Sequence, residues 1–130
     1  MLANLAYQMV PLLEPSSSVY QSVAAAIQNQ TLQSAGLVEL VRTGIADLAG
    51  KNDKPWLELT AKQRVAVIQA EYPNQFLALI RWVACEQVLR DTQVWASLGY
   101  QGSSIEYGGY LHRGFDDIDW LPKSPTRTAQ

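Results

Sequence analysis

A chain of 130 residues suits a single domain that can bury a core without disulfides or bound metal. Apolar residues make up 48% of the chain and charged residues 17%, compared with about 25% charged residues in an average protein. The net charge of −2 creates no field that would attract nucleic acid, so no nucleic-acid partner is expected. The single cysteine, Cys85, excludes an internal disulfide.

Membrane and export signals are weak in this sequence. No apolar run approaches the roughly 18 to 20 residues that span a bilayer, so direct membrane insertion is not expected. Residues 1–15 are apolar, but no Lys or Arg occurs before Arg42, so the basic start of a signal peptide is missing, and there is no twin-arginine pair. As written, the chain is expected to be cytoplasmic, with a periplasmic location as the alternative if it is processed or exported together with a partner.

The first half of the chain predicts three helices. Residues 1–13 place apolar side chains on one helical face, which Pro11 interrupts. The serines before residue 19 form an N-cap signal for a helix over 19–30. A clear apolar stripe predicts a third helix over 36–49, with Gly50 just beyond its end.

The second half begins with a capping signal. Thr60 followed by Gln63 matches a capping box, and the helix that it starts should end at Pro73. Near the end of the helical region, Asp91 is placed to cap a short helix over 92–98.

Between these two elements, residues 74–90 predict a central helix. Ile80 and Val83 belong to one apolar stripe, whereas Trp82 lies off it, so a second face of the helix is apolar as well. A helix that is apolar on more than one face typically lies inside a bundle. Trp82 and Cys85 are therefore expected in or at the edge of the core.

These patterns predict an all-α fold, because no segment is typical of a strand. Residues 1–98 form a compact bundle of five to six helices. Residues 99–122 form an irregular arm rich in glycine and aromatic residues, packed on the bundle and on a partner subunit. Residues 123–130 form a polar, flexible tail.

The arm is the most informative part of the chain for function. It has too many glycines for a helix and too many aromatic residues for a disordered tail. Its rings must therefore be buried against a folded surface, which is its own bundle, another subunit, or both.

A family resemblance is carried by two runs of sequence. They read GIADLAGKNDKPWLELTAKQRVAVIQ and EYPNQFLALIRWVACEQVLRDTQVWASLGYQG. The matching features are the glycine-led helix from Gly44, the aromatic-leucine spacer at 56–59, the LGYQG ending and the glycine-aromatic pattern at 108–110. Across residues 37–122 the chain resembles the gluconate 2-dehydrogenase subunit 3 family, which comprises small helical subunits of FAD-dependent sugar dehydrogenases.

The resemblance implies a stabilising, chaperone-like subunit without catalytic residues of its own. Its partner would be a large glucose-methanol-choline type oxidoreductase subunit that holds the FAD and oxidises a sugar, sugar acid or glycoside, with a cytochrome or another electron acceptor as a further partner. This chain would itself bind no cofactor and no metal. Several family members carry a twin-arginine leader, which this sequence lacks. The residues expected to bind the partner are Tyr100, Tyr107, Tyr110, His112, Arg113, Phe115 and Trp120.

Two other classes of function stay open. A free-standing helical adaptor or small-ligand-binding module would use the arm to close a pocket between helices. An enzyme would use His112, the only histidine, as a general base together with Asp116 or Asp117. A lone histidine more often makes a structural hydrogen bond, and Asp116, Asp117 and Asp119 lack the distant glutamate of a calcium loop.

Overall fold

The computed structural model describes residues 1–51, 53–109 and 111. Within these residues the chain contains six α-helices and no strand, which confirms the all-α prediction. Two 3₁₀ turns, Trp56–Glu58 and Ile105–Tyr107, complete the regular structure. In chain order the helices are α1 (Leu2–Met9), α2 (Ser18–Thr31), α3 (Ala35–Gly50), α4 (Ala61–Glu71), α5 (Gln75–Val88) and α6 (Thr92–Ser97).

Side-chain caps define the starts of most helices. Thr60 and Gln63 form the predicted capping box at α4, and Asp91 accepts hydrogen bonds from the first turn of α6. Ser17 caps α2 and Asn74 caps α5 in the same way. A cap of this kind typically stabilises a helix by about 1 kcal/mol, so these polar residues determine where the chain turns.

Helix α3 differs from its prediction at both ends. It begins at Ala35 because the Ser34 hydroxyl accepts a hydrogen bond from the Leu37 amide, one residue before the predicted start. Gly50 is its last helical residue, and Lys51, in a right-handed conformation, is the C-cap. The expectation that Gly50 lies beyond the helix was therefore wrong.

The chain divides into two compact units, Met1–Gly99 and Tyr100–Gln130. The first unit holds all six α-helices, and the second holds the Ile105–Tyr107 turn. The predicted tail at 123–130 lies outside the described residues.

The core of the first unit surrounds α5, which packs against α1, α2 and α3. This is the central position that the sequence predicted for residues 74–90. The buried apolar side chains that share this core include Leu5, Ala6, Tyr20, Val23, Ile27, Leu48, Phe76, Leu77, Ile80, Val83, Ala84, Val88 and Val94.

Helices α3 and α5 are in close contact at Gly44. A Cβ atom built on this buried glycine would lie 2.7 Å from the Phe76 Cβ and 2.5 Å from its Cδ1. Distances this short do not occur between real side chains, so only a glycine lets the Phe76 ring rest against the α3 backbone.

Two polar contacts attach the loops to this core. The buried Tyr20 hydroxyl donates to the Val10 carbonyl at 2.8 Å and accepts from the Leu13 amide at 3.3 Å, which holds the α1–α2 loop. The indole of buried Trp56 donates to the Asn4 side-chain oxygen at 3.0 Å, which ties the 3₁₀ turn to α1. Each contact gives a polar atom of a buried aromatic ring its hydrogen-bond partner.

Candidate interaction surface

The described part of the arm is built around one short turn. The Ser104 carbonyl accepts hydrogen bonds from the Tyr107 amide at 3.0 Å and from the Gly109 amide at 2.9 Å. Gly108 and Gly109 follow with φ values of 76° and 79°, a left-handed conformation that side chains other than glycine rarely adopt. The glycines that exclude a long helix here therefore form a tight turn at the end of the 3₁₀ segment.

This turn presents apolar and aromatic side chains to solvent. Ile105 is 86% exposed and Tyr107 is 67% exposed, and Tyr100 and Leu111 are exposed as well. Four large apolar side chains within twelve residues are thus exposed, which is unusual for a short segment.

The structure describes only two of the seven predicted partner-binding residues, Tyr100 and Tyr107. The other five, Tyr110, His112, Arg113, Phe115 and Trp120, lie outside the described residues. The three aspartates considered with His112 lie outside them as well. The prediction for these positions stays a prediction.

A second apolar surface lies on the outer face of α5. Ala78, Trp82, Cys85 and Leu89 lie along one side of the helix and its C-cap, and we call these four residues the α5 outer stripe. Trp82 is 71% exposed, Leu89 is about half exposed, and Cys85 is partly exposed. The expectation that Trp82 lies in or at the edge of the core was therefore wrong, and Cys85 is only partly buried, because the core meets the opposite face of α5.

The sequence did contain a signal for this stripe. Its residues are separated by four, three and four positions, which is the spacing of one helical seam. The same spacing is typical of core residues, so the pattern alone does not distinguish a seam that faces the core from one that faces solvent.

One edge of the stripe carries an arginine held by a tyrosine. The Arg81 guanidinium donates to the Tyr72 hydroxyl at 2.7 Å, and its Cζ lies 6.0 Å from the centroid of the Tyr72 ring. Arg81 makes no salt bridge with any residue that the structure describes. Its charge is therefore held next to the stripe by the tyrosine, and no described carboxylate is paired with it.

The opposite edge of the stripe carries an acid. The Glu86 Oε1 lies 3.0 Å from the Nη2 of Arg90, which is one helical turn further along the chain. The stripe thus has a positive group on one edge and a negative group on the other.

Two grooves lie on either side of the Arg81–Tyr72 pair. One has a volume of about 410 Å³ and is lined by Gln8, Met9, Val65, Ile68, Gln69, Tyr72 and Arg81. The other, about 370 Å³, is lined by Tyr72, Arg81 and the first three residues of the stripe. Val65 of α4 is partly exposed and lines the wall of the first groove.

The described residues bring no catalytic constellation together. In this part of the chain no three His, Cys, Asp or Glu side chains lie close enough to share a metal ion. A cavity of about 670 Å³ lies beside the α1–α2 loop, and among the described residues that line it Glu14 is the one acidic side chain. None of the described helices combines the length and apolar character needed to cross a bilayer.

Comparisons with known proteins found no match to this chain. No family model matches the chain, and neither a curated protein nor a solved structure is significantly similar to it.

Proposed function

We propose that this chain is a non-catalytic small subunit of a heteromeric FAD-dependent dehydrogenase that oxidises an alcohol group of a sugar, sugar acid or glycoside. The observation that carries the proposal is the exposure of Tyr100, Ile105, Tyr107 and Leu111 on the arm. Aromatic residues and arginine are typical anchors of protein interfaces, and solvent-exposed clusters of this kind mark contact surfaces. The resemblance of residues 37–122 to the gluconate 2-dehydrogenase subunit 3 family supports the choice of partner.

The role of the chain in such a complex is mechanical. The helical unit serves as a rigid body, and the arm lies on the large flavoprotein, where it orders segments near the substrate entrance. Hydride transfer to the flavin belongs to the partner, whose FAD supplies that chemistry. Tyr110, His112, Arg113, Phe115 and Trp120 extend the proposed contact along the arm.

Co-expression with a large FAD-binding subunit of the glucose-methanol-choline type from the same organism tests the proposal. The two chains should co-elute as one yellow complex with dehydrogenase activity, and a chain that ends at Gly99 should fail to co-elute. The truncated chain retains the entire helical unit, so its circular dichroism should stay helical. A full-length chain that elutes separately from the flavoprotein would overturn the proposal.

Point variants locate the contact more sharply. Tyr100→Ala combined with Tyr107→Ala should weaken binding of the flavoprotein at least tenfold, because an interface anchor typically contributes about 2 kcal/mol or more. The matched control combines Leu32→Ala with Leu57→Ala, which removes two exposed apolar side chains from the helical unit. Equal loss of binding in both double variants would contradict a contact through the arm.

One observation favours a second candidate, a free-standing adaptor or small-ligand-binding module. The 410 Å³ groove combines apolar walls with the Arg81 guanidinium, and its size falls within the range of small-molecule sites. Such a module would bind an apolar carboxylate such as octanoate without any flavoprotein, and Arg81→Leu would abolish this binding. Calorimetry with octanoate and the chain alone separates the two candidates.

A further inference from the structure

We propose that the α5 outer stripe pairs two copies of this chain, with their α5 helices parallel about a two-fold axis. The stripe is exposed, apolar and about 16 Å long, at a rise of about 1.5 Å per residue. Such a surface fits the equivalent stripe of a second helix. The inference does not depend on the flavoprotein and concerns the isolated chain.

The spacing of the stripe is that of a coiled-coil seam. With Trp82 and Leu89 at a positions, Ala78 and Cys85 take d positions of the heptad. Like residues then face each other across the axis, so the two Trp82 rings meet at the centre of the seam. A tryptophan buried in this way is a typical interface anchor.

The charges at the edges select a second copy as the occupant. In this heptad Arg81 takes the g position and Glu86 the e position of the following repeat. In a parallel pair these two positions lie on the same side of the seam, so Arg81 of each copy faces Glu86 of the other. A two-fold axis forms this ion pair twice from one sequence, as a self-complementary interface requires.

The same charges disfavour the antiparallel arrangement. There, Arg81 would lie on the same side as Arg81 of the second copy, and the two Glu86 residues would be juxtaposed in the same way. Like charges facing each other across an interface are unfavourable. The parallel arrangement also gives Arg81 the acidic neighbour that the described residues of its own chain do not provide.

The pairing should be reversible. A seam of about three helical turns buries less than the roughly 1,200 Å² of total area found in standard stable interfaces. We therefore expect a monomer–dimer equilibrium that shifts with protein concentration.

Sedimentation of the full chain under reducing conditions tests the pairing. The average mass should rise from that of a monomer towards that of a dimer between low micromolar and millimolar concentration, and Trp82→Ala should raise the dissociation constant at least tenfold. Leu32→Ala removes an apolar side chain that is 85% exposed outside the stripe, and it should leave the equilibrium unchanged. A chain that stays monomeric throughout, or a Trp82→Ala chain that dimerises like the wild type, would overturn the inference.

Charge reversal tests the ion pair. Arg81→Glu and Glu86→Arg should each weaken the dimer, and the double variant should recover most of the lost affinity. Tyr72→Phe removes the hydroxyl that Arg81 bonds without changing any charge, so it controls for local rearrangement. Failure of the double variant to recover any affinity would contradict the pairing of Arg81 with Glu86.

Cysteine cross-linking tests the direction of the helices. The wild-type chain has one cysteine, on the seam, so an added thiol oxidant should join two copies through Cys85. In a Cys85→Ser background, Ala78→Cys alone and Leu89→Cys alone should each form a cross-linked dimer. Cross-links that appear only when these two variants are mixed would indicate antiparallel helices and overturn the parallel arrangement.

Discussion

Both faces of α5 carry large apolar side chains, yet only one of the two faces is buried. The inner face carries Phe76, Ile80 and Val83, which are fully or almost fully buried against neighbouring helices. The outer face carries Trp82, the largest side chain of the helix, which is 71% exposed. The apolar side chains of a helix are therefore not all buried within its own fold. Those on the outer face of α5 remain available for contact with another molecule.

The largest expected difference in stability is between two alanine variants, one on each face of α5. Ile80→Ala should lower the free energy of unfolding by about 2 to 5 kcal/mol, because it removes buried methyl groups and leaves a cavity. Trp82→Ala should change it by no more than about 0.5 kcal/mol at low protein concentration, since the ring has few intramolecular neighbours to lose. Urea unfolding followed by circular dichroism measures both. A similar loss in the two variants would mean that the outer face is also part of the fold.

A second pair of variants tests how tightly the inner face is packed. Gly44→Ala should destabilise the protein by about 1 to 3 kcal/mol, because the new methyl group would force the Phe76 ring away from α3. Gly50→Ala is the matched control in the same helix. Nothing lies within 4 Å of its added Cβ, so the higher helix propensity of alanine should stabilise the protein by up to about 1 kcal/mol.

Thermal unfolding of Gly44→Ala and Gly50→Ala tests how tightly α3 and α5 are packed. If Gly44→Ala were as stable as Gly50→Ala, the contact between α3 and α5 would be looser than the structure indicates.

The smallest expected effect concerns the polar outer surface of α3, which contrasts with the outer stripe of α5. Hydrogen bonds from the Arg42 guanidinium at 2.6 Å and the Thr43 hydroxyl at 3.1 Å hold the pKa of Glu39 below its ordinary value. A lowered pKa in the folded state stabilises the protein above the unfolded-state pKa, and this contribution is lost as the pH falls through the folded-state pKa. Because the pair is exposed, the contribution is small.

Melting temperatures measured from neutral to acid pH test the direction of this pH dependence. Glu39→Gln should melt slightly below the wild type at neutral pH, and the difference should vanish at acid pH. Glu14→Gln, at an exposed glutamate that makes no salt bridge within the described residues, should show no such convergence. A difference for Glu39→Gln that grows towards acid pH would contradict the assignment.

Local chemistry made most of the helical fold predictable. The Thr60 and Asp91 side chains accept hydrogen bonds from amides two or three residues later in the chain, and the Gln63 side chain accepts one from the Thr60 amide. Each of these signals is contained within four residues of sequence and can be recognised there. Gly50 was misplaced because a glycine can end a helix or simply occupy its last turn. The choice depends on whether its backbone becomes left-handed, as Gly99 does with a φ of 72°.

The interaction surfaces were only partly predictable. The aromatic residues of the arm stand out in the sequence, and Tyr100 and Tyr107 are exposed as an interface requires. The outer stripe was missed because periodicity tells which residues share a face, but not which face meets the neighbouring helices. Only the positions of α1, α2 and α3 around α5 decide that Ile80 is buried and Trp82 is not.

The central position of α5 also has a consequence for the protein as it is being made. Helices α1 and α2 leave the ribosome first, yet their apolar faces pack against a helix that ends only at Val88. The bond between Asn4 and Trp56 likewise joins residues that are 52 positions apart. Translation at roughly 5 to 20 residues per second leaves α1 and α2 without α5 for seconds, and during this interval the apolar side chains that α5 later covers are open to aggregation.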